Sequence, residues 1–567
     1  MRRATLGLLL CLDCGGDPST TSDTGTSVAA DPATNSTTDG LPTSAAPSSE
    51  PTTATTTTTE PTGEPACPDP TANGGTILAS DHGVIAGEQL ADLVAFRGIP
   101  YAAPPVGELR FRPAAAPACV PGVSERTTLG PRCVQLVKDK NGAVTDTIGD
   151  EDCLTLNVWT PGLDDAARPI LVFIHGGGNT IGGSDDPLYD GAALAAAQDL
   201  VVVTLNYRLG ALGFLVHPEL AAESPDAVSG NYAISDQIAA LAWVQAHAAR
   251  LGGDPQRVLL FGESAGAVDT CTLIGSPLAA GLFSRAIVQS GACNERSLAQ
   301  LRKDIADEWL ASSGCDTDVP ACLRARPASE LVNLTPDGYP DVAALGQGWG
   351  PHVDGHVVPT TSLAAMQAGT HNQVPVIFGS NAAETANAVP PLSDANYEAL
   401  VKATFGPFAD EVLAAYPLAD YPDARAAYVA LSSDLKFVCN ARRAARAAAA
   451  GQQLPVRRYH FAYDAYTTAP GVTPVAFHGL ELVYIFAGWA GVQLGNFDYK
   501  PNQDDLAMST IMQSAWARFA AIGDPAADLA WPAYAAVTDD HAILDIPPAT
   551  GQHLREAQCD FWDGLLP

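Results

Sequence analysis

Basic residues are scarce in this chain of 567 residues. There are 30 Lys and Arg against 63 Asp and Glu, which gives a formal net charge of −33 at pH 7. Nucleic-acid phosphates would repel such a chain, so non-specific nucleic-acid binding is excluded as its function. The same excess of negative charge favours solubility.

The sequence also lacks the paired cysteine motifs that are typical of metal sites. None of its twelve cysteines lies in a C-x-x-C pair that is matched by a second such pair, and no other cluster of metal ligands is evident. We therefore expect no metal and no cofactor. In an exported chain, the cysteines beyond Cys11 and Cys14 are even in number and fit disulfide bridges.

The apolar run near the N-terminus is too short to span a bilayer as a helix. Two arginines precede the run Leu6 to Leu12, which is the pattern of a signal peptide over residues 1–14. Cys14 lies where a bacterial lipoprotein carries its acylated cysteine, although residues 11–13 differ from the usual small residues there. We expect a secreted chain or, if Cys14 is lipidated, one tethered to a membrane at the cell surface.

Residues 15–71 contain few apolar side chains. From Asp17 to Pro65 the segment is mostly Ser, Thr, Pro, Gly, Asp and Glu, and it cannot bury enough apolar surface to offset its ordering entropy. We expect a disordered linker whose ends lie on the order of 40 Å apart. No second linker of this kind follows, which predicts a single domain over residues 72–567.

The remainder of the chain has ample apolar material for a large core, since hydrophobic residues make up 47% of the whole sequence. Between two predicted strands, residues 234–251 carry apolar side chains at helical spacing. The alternation predicts an α/β fold with a large, mostly parallel central sheet flanked by helices, and a ligand site beyond the carboxyl ends of the strands. The β-branched runs that predict strands buried on both faces are residues 170–174, 200–205, 258–261, 286–288 and 374–378.

A serine framed by glycines follows one of these strands. Gly262-Glu263-Ser264-Ala265-Gly266 comes directly after Phe261 and opens an Ala-rich segment. This is the strand, turn and helix context of a nucleophile elbow, in which glycines leave room for a sharp, strained turn. The pattern favours Ser264 as a nucleophile over an ordinary glycine-rich turn.

A second glycine run closes the strand over residues 170–174. It reads His175-Gly176-Gly177-Gly178, and glycines allow backbone N–H groups to approach a bound oxygen closely. We expect Gly177 and Gly178, together with Ala265 at a helix N-terminus, to form an oxyanion hole.

These motifs and four further segments resemble the type-B carboxylesterases, the family that includes cholinesterases and fungal lipases. The resemblance covers nearly all of residues 72–567. It implies an α/β-hydrolase fold and a serine esterase that forms a covalent acyl-enzyme, with a triad in the chain order Ser, Glu, His. The four segments are residues 96–102 (FRGIPYA), 151–159 (EDCLTLNVW), 206–210 (NYRLG) and 252–255 (GGDP).

The resemblance also implies which residues complete the triad. The stretch 378–384 (FGSNAAE) resembles the family's acid motif and indicates Glu384. The stretch 477–482 (FHGLEL) resembles the family's His-Gly turn and indicates His478 as the base. The alternative histidines for the base are His460, His352 and His356.

Other positions are expected to support the triad. The resemblance implies that Glu263 lies beside the nucleophile and that Ser290 orients the acid. Asp269 occupies a place where many relatives carry a small hydroxyl residue, and it either perturbs the electrostatics of the triad or is an ordinary polar helix residue. Arg110 and Glu151 resemble a family ion pair with a structural role.

Three disulfide bridges are implied by the same resemblance, each contributing about 2 to 4 kcal/mol to stability. They are Cys133 with Cys153, Cys315 with Cys322, and Cys439 with Cys559. The cysteines left over allow Cys271 with Cys293 and Cys67 with Cys119.

The substrate class is restricted by an absence of aromatic residues. The family's cholinesterases carry a tryptophan between the first two bridged cysteines that binds a quaternary ammonium, whereas residues 134–152 here contain no aromatic residue. We expect a serine carboxylesterase for small or medium esters other than choline esters. Two alternatives stay open: a lipase for longer-chain glycerides, and a non-catalytic adhesion module with the same fold.

Overall fold

The computed structural model of the protein describes residues 73–138, 143–334, 348–464, 475–489, 493–494, 497–498, 500–526 and 530–565. The compact unit that contains them runs over Cys67–Pro567. The expected signal peptide, the lipidation site Cys14 and the expected linker over residues 15–71 lie outside the described residues.

The strands are numbered in chain order. Their bounds are β1 Ile77–Ser80, β2 Gly83–Ala86, β3 Glu88–Leu90, β4 Leu93–Pro100, β5 Val123–Glu125, β6 Gln135–Lys138, β7 Val144–Ile148, β8 Thr155–Thr160, β9 Arg168–Ile174, β10 Val201–Leu205, β11 Gly253–Glu263, β12 Arg285–Gln289, β13 Arg296–Ser297, β14 His352–Val353, β15 Val376–Asn381, β16 Val456–Phe461, β17 Gln493–Leu494, β18 Phe497–Asp498, β19 His541–Leu544 and β20 Ala549–Gly551.

The α-helices are numbered in the same way, and short 3-10 and π-helical turns lie between some of them. The bounds are α1 Ala192–Gln198, α2 Gly210–Phe214, α3 Pro218–Ala222, α4 Tyr232–His247, α5 Ala265–Gly275, α6 Leu298–Leu301, α7 Asp307–Ser313, α8 Val319–Ala325, α9 Ala328–Asn333, α10 Ser362–Ala368, α11 Asp394–Phe405, α12 Ala409–Ala415, α13 Ala424–Ser433, α14 Cys439–Gly451, α15 Leu480–Phe486, α16 Gln503–Ile522 and α17 Glu556–Leu565.

One large sheet organises the molecule. Its strand order is β20-β19-β16-β15-β12-β11-β9-β10-β8-β4-β3. In this order, the seven strands from β19 through β10 run parallel to one another. At one edge β20 pairs antiparallel, and at the other edge β8, β4 and β3 do so. The mostly parallel sheet expected from the sequence is therefore confirmed.

The sheet separates two hydrophobic cores. Along β9, Ile170, Val172 and Ile174 pack into the core on one face, and Leu171 and Phe173 pack into the core on the other. All five side chains are fully buried. Because side chains alternate along a strand, only an uninterrupted apolar run can fill both cores. Helices α4, α5 and α14 contribute to the first core, and α15 and α16 to the second.

Helix α4 begins two residues earlier and ends four residues earlier than the sequence predicts. The sequence predicts a helix over residues 234–251, but α4 spans Tyr232–His247 and a 3-10 turn, Ala249–Leu251, follows it. Gly252 has a φ of 73°, the left-handed conformation that commonly ends a helix and that glycine adopts at little cost.

Disulfides and a partly buried ion pair brace the domain. The bridges Cys133–Cys153, Cys315–Cys322 and Cys439–Cys559 are formed as the resemblance implies, and Cys271–Cys293 is formed as well. The remaining expected pairing involves Cys67, which lies outside the described residues. The Arg110 guanidinium donates two hydrogen bonds, of 2.7 and 2.6 Å, to the Glu151 carboxylate. Across the described ranges, no helix is both long enough and apolar enough to cross a membrane.

Candidate active site

Ser264 lies in a strained turn between β11 and α5. Its φ of 58° and ψ of −121° fall outside the regions that non-glycine residues ordinarily adopt. A Cβ atom on Gly262 would lie 2.2 Å from the Gly266 carbonyl oxygen, and one on Gly266 would lie 2.1 Å from the Ile174 carbonyl oxygen. Only glycine fits at both positions, so the sequence motif is a steric requirement of this turn.

The second glycine run packs directly against this turn. A Cβ atom on Gly176 would lie 2.9 Å from the Ser264 Cβ atom. Gly177 and Gly178 have φ values of 114° and 62°, and within the described part of the chain the Gly177 N–H donates no hydrogen bond. Because α5 begins at Ala265, the first N–H groups of that helix have no intrahelical acceptor. The start of the glycine run and the N-terminus of α5 therefore both lie beside Ser264.

Glu384 is buried and held by several donors. Its Oε1 atom accepts hydrogen bonds from the Ser290 hydroxyl at 2.6 Å and from the Asn381 N–H at 2.7 Å. Its Oε2 atom lies 2.7 Å from Nδ1 of His478. The side chain is fully buried, so this carboxylate fixes the orientation of the imidazole through Nδ1 and leaves Nε2 for other contacts.

His478 lies close to the residue that precedes the serine. Its Nε2 atom is 3.2 Å from Oε1 of Glu263, and the Phe437 ring packs against the imidazole with 4.6 Å between ring centroids. Among the described residues, no hydrogen bond joins the Ser264 hydroxyl to the imidazole. Catalytic hydrogen bonds are commonly long without a ligand and tighten when substrate binds.

Three buried carboxyl groups surround His478. Burial lowers the pKa of His478, but Glu263 and the hydrogen-bonded Glu384 outweigh it and raise that pKa to about 9. Burial raises the pKa of Glu263 to about 8, against the lowering effect of His478. Burial, with Glu384 second, raises the pKa of Glu481 to about 7. The pKa values of His478, Glu263 and Glu481 therefore depend on one another.

The alternative histidines occupy other surroundings. His460 lies on β16 and His352 on β14, and burial lowers their pKa values to about 3 and about 4. Nε2 of His356 lies 3.4 Å from Oδ2 of Asp226. None of these three contacts Glu384 in the described structure, whereas His478 does.

A model of the carboxylesterase family matches residues 74–562. The chain belongs to the carboxylesterase family. It is similar to the fumonisin B1 esterase of Sphingopyxis macrogoltabida, at 37% identity over 76% of this chain and 80% of that protein. It is 32% identical to the para-nitrobenzyl esterase of Bacillus subtilis, over 83% of this chain and 94% of that protein. Human neuroligin-2 is also similar, at 31% identity over 85% of this chain and 65% of its own length.

Solved esterase structures share the fold of this carboxylesterase. A carboxylesterase of Geobacillus stearothermophilus matches with a TM-score of 0.74 and 31% identity, over 86% of this chain and all of the other. A para-nitrobenzyl (PNB) esterase matches with the same TM-score at 30% identity, over 86% of this chain and 99% of that one. The protein is thus a serine-type carboxylic ester hydrolase with an α/β-hydrolase fold.

Several residues of this carboxylesterase site were not predicted from the sequence. Glu481 is fully buried and accepts hydrogen bonds from Gln289 at 3.0 Å and from the Asn381 side chain at 2.5 Å. Asn381 also donates to the Phe477 carbonyl at 2.7 Å. The sequence contains two features that involve these residues, the short spacings from Asn381 to Glu384 and from His478 to Glu481. Neither spacing could be interpreted without knowing that β12 and β15 lie side by side.

Proposed function

We propose that this esterase acts through a Ser264, His478 and Glu384 triad and a covalent acyl-enzyme. The observation that carries the proposal is the 2.7 Å contact between Glu384 and Nδ1 of His478, which directs Nε2 of the same ring to the Glu263-Ser264 turn. Glu384 would hold the ring and stabilise the imidazolium that forms during the reaction.

In the first half-reaction, the Ser264 hydroxyl oxygen attacks the carbonyl carbon of the ester, and its proton passes to Nε2 of His478. The N–H groups of Gly177, Gly178 and Ala265 would stabilise the tetrahedral oxyanion. Collapse of the intermediate breaks the bond to the alcohol, which leaves with the proton from His478. Water then attacks the acyl-enzyme and loses a proton to His478. The bond between the acyl carbon and the Ser264 oxygen breaks, the acid leaves, and His478 returns the proton to that oxygen.

Small or medium esters without a choline group are the proposed substrates. The segment between the bridged residues Cys133 and Cys153 has no aromatic side chain over 134–152 to bind a quaternary ammonium. The names of two relatives, which are esterases of fumonisin B1 and of para-nitrobenzyl esters, favour non-choline esters too.

Replacing Ser264 by Ala tests the proposed nucleophile. We expect hydrolysis of p-nitrophenyl esters to fall to background while the melting temperature stays within a few degrees, because the hydroxyl makes no hydrogen bond with another described residue. Turnover retained by Ser264→Ala would refute the mechanism. A wild-type chain with no activity on any ester would instead favour the adhesion module.

Comparing tributyrin with triolein separates the esterase from the lipase. An esterase for small acyl groups should hydrolyse tributyrin much faster and show no rise in rate when its substrate forms an interface. Preference for triolein with interfacial activation would favour the lipase.

The protein is proposed to work outside the cytoplasm. Its disulfides are typical of chains that fold in an oxidising compartment. We propose residues 1–14 as the signal peptide, Cys14 as the site of a lipid tether, residues 15–71 as the linker and residues 72–567 as the catalytic domain. Cys14→Ser should then move activity from the membrane fraction to the soluble fraction; a soluble wild-type chain would contradict the tether.

A further inference from the structure

Asp269 lies on the helix that follows the proposed nucleophile and is completely buried. It is five residues after Ser264, about 7.5 Å along the axis of α5. One carboxylate oxygen accepts a hydrogen bond from the Asn179 side chain at 3.2 Å, and the other accepts one from Gln237 on α4 at 2.6 Å. The carboxylate thus joins α5 to two other segments.

Asn179 directly follows the proposed oxyanion glycines. It has a φ of 56°, so that residues 177, 178 and 179 all have positive φ values. The two glycines adopt such values at little cost, but for Asn179 the conformation is strained and persists only where surrounding contacts fix it. The Asn179 carbonyl accepts a hydrogen bond from the Gly210 N–H at 2.7 Å, and its side chain binds Asp269. These two contacts fix the end of the glycine turn.

We propose that Asp269 is a positioning residue that sets the distance between the two sources of oxyanion-hole donors. The glycine turn supplies Gly177 and Gly178, and α5 supplies Ala265. Asp269 lies on α5 and binds Asn179, so it connects the two. This inference rests on the proposed function, because it assumes that these N–H groups stabilise an oxyanion.

The contacts around Asp269 allow it to hold the turn in either charge state. The two amide oxygens, Asn179 Oδ1 and Gln237 Oε1, are buried and have no hydrogen-bond partner in the described structure. If either amide turns over, its oxygen can accept a hydrogen bond from a neutral group at position 269. Burial raises the pKa of Asp269 to about 7, although Gln237 and Asn179 oppose that rise. An uncharged side chain of the same shape should therefore preserve the connection.

Three variants on α5 test the proposal with p-nitrophenyl butyrate. Asp269→Ala removes the connection, Asp269→Asn preserves its shape, and Thr272→Val is the matched control. The Thr272 hydroxyl lies 2.9 Å from the Val268 carbonyl oxygen and 3.0 Å from Oε1 of Glu295, and it can donate to either. Neither partner belongs to the glycine turn.

We expect Asp269→Ala to lower kcat at least about tenfold with KM changed less than about threefold, because misplaced donors weaken transition-state stabilisation selectively. Asp269→Asn should retain kcat within about threefold, and Thr272→Val within about twofold. A trifluoromethyl ketone, whose serine adduct carries an oxyanion, should bind Asp269→Ala more weakly by the same factor as the loss in kcat.

Asn179→Gly removes the same contact from the other side and keeps a residue that tolerates positive φ. It should reproduce the loss in kcat and add little to Asp269→Ala, because both changes break one connection. If Asp269→Ala does not fold, Asn179→Gly decides the question alone. Wild-type kcat in Asn179→Gly, or equal losses in Asp269→Ala and Thr272→Val, would overturn the inference.

Failure of the proposed function gives a different result. In that case Ser264→Ala would keep wild-type turnover, whatever the Asp269 variants do. If Ser264→Ala is inactive while Asp269→Ala and Asn179→Gly keep wild-type kcat, only the positioning role of Asp269 is wrong.

Discussion

At the scale of single residues, the site is defined by the hydrogen-bond partners of Glu384 and His478. A carboxylate whose two oxygens accept hydrogen bonds from Ser290, Asn381 and His478 keeps a fixed orientation in its buried pocket. Family motifs in the sequence predicted Glu384, His478 and Ser290 as site residues, and the structure brings their side chains into contact. The sequence did not predict a role for Glu481, because glutamates are usually exposed to solvent and the burial of this one depends on the fold.

Replacing Glu263 by Gln should move the acidic limb of the pH profile of kcat/KM to lower pH. His478 must be neutral to accept the serine proton, so activity rises as pH increases through its pKa. The Glu263 carboxylate, 3.2 Å from Nε2, stabilises the charged imidazolium. Its removal should lower the pKa of His478 and shift the limb by at least about 0.5 pH unit.

Glu398→Gln, at an exposed glutamate, is the control for Glu263→Gln and should leave the acidic limb in place. A limb that does not move in Glu263→Gln would contradict this role of Glu263.

Ser290→Ala should reduce kcat about tenfold, which corresponds to about 1.4 kcal/mol. The hydroxyl donates a 2.6 Å hydrogen bond to Glu384, and without it a buried carboxylate oxygen keeps only the Asn381 N–H as donor. Steady-state kinetics on a p-nitrophenyl ester would measure the effect, and Ser290→Thr should restore part of the rate. Unchanged kcat in Ser290→Ala would show that the hydroxyl does not support the acid.

At the scale of helices and strands, local patterns predicted the elements but not their neighbours. The β-branched runs became β9, β10, β11, β12 and β15 because each fills two cores at once. Strand order depends on long-range packing, and so it was not predictable from those runs. The pairing of β12 with β15 brings Ser290 close to Glu384, and no local sequence feature indicates that pairing.

A buried ion pair joins the segment after β10 to α4, and its loss should destabilise the fold. The Arg208 guanidinium donates hydrogen bonds of 2.8 and 2.6 Å to Asp236, and both side chains are almost fully buried. Asp236→Asn should lower the free energy of unfolding by about 3 to 5 kcal/mol, because it leaves a charged arginine without its partner.

Denaturant titration of Asp236→Asn checks this expectation. Glu398→Gln breaks an exposed pair with Lys402 and should cost less than about 1 kcal/mol. Equal stability losses in the two variants would show that the buried pair has no special importance.

At the scale of the whole molecule, charge should influence which esters reach the site. The net charge of −33 creates a negative potential that repels anions, and Glu263, Glu384 and Glu481 add carboxyl groups at the site itself. Composition alone was sufficient to predict the sign of this field. The clustering of three carboxyl groups around His478 became evident only from the structure.

At low ionic strength, kcat/KM for mono-p-nitrophenyl succinate should be lower than for p-nitrophenyl butyrate. Added salt should raise the value for the anionic ester several-fold and leave the neutral ester almost unchanged, because salt screens charges beyond about 10 Å at 0.1 M. Initial rates of both esters, measured between about 10 and about 500 mM salt, would show the salt dependence of kcat/KM, because the screening length changes over this range. A faster anionic ester, or one insensitive to salt, would contradict a repulsive field.

The covalent step at Ser264 is the central claim, and labelling with a fluorophosphonate tests it most directly. The serine oxygen would displace fluoride from phosphorus and retain the probe. Mass spectrometry of the digested wild-type chain should find one label, on Ser264, with activity lost in proportion to labelling and no label in Ser264→Ala. A label on another residue, or full labelling of Ser264→Ala, would contradict the account.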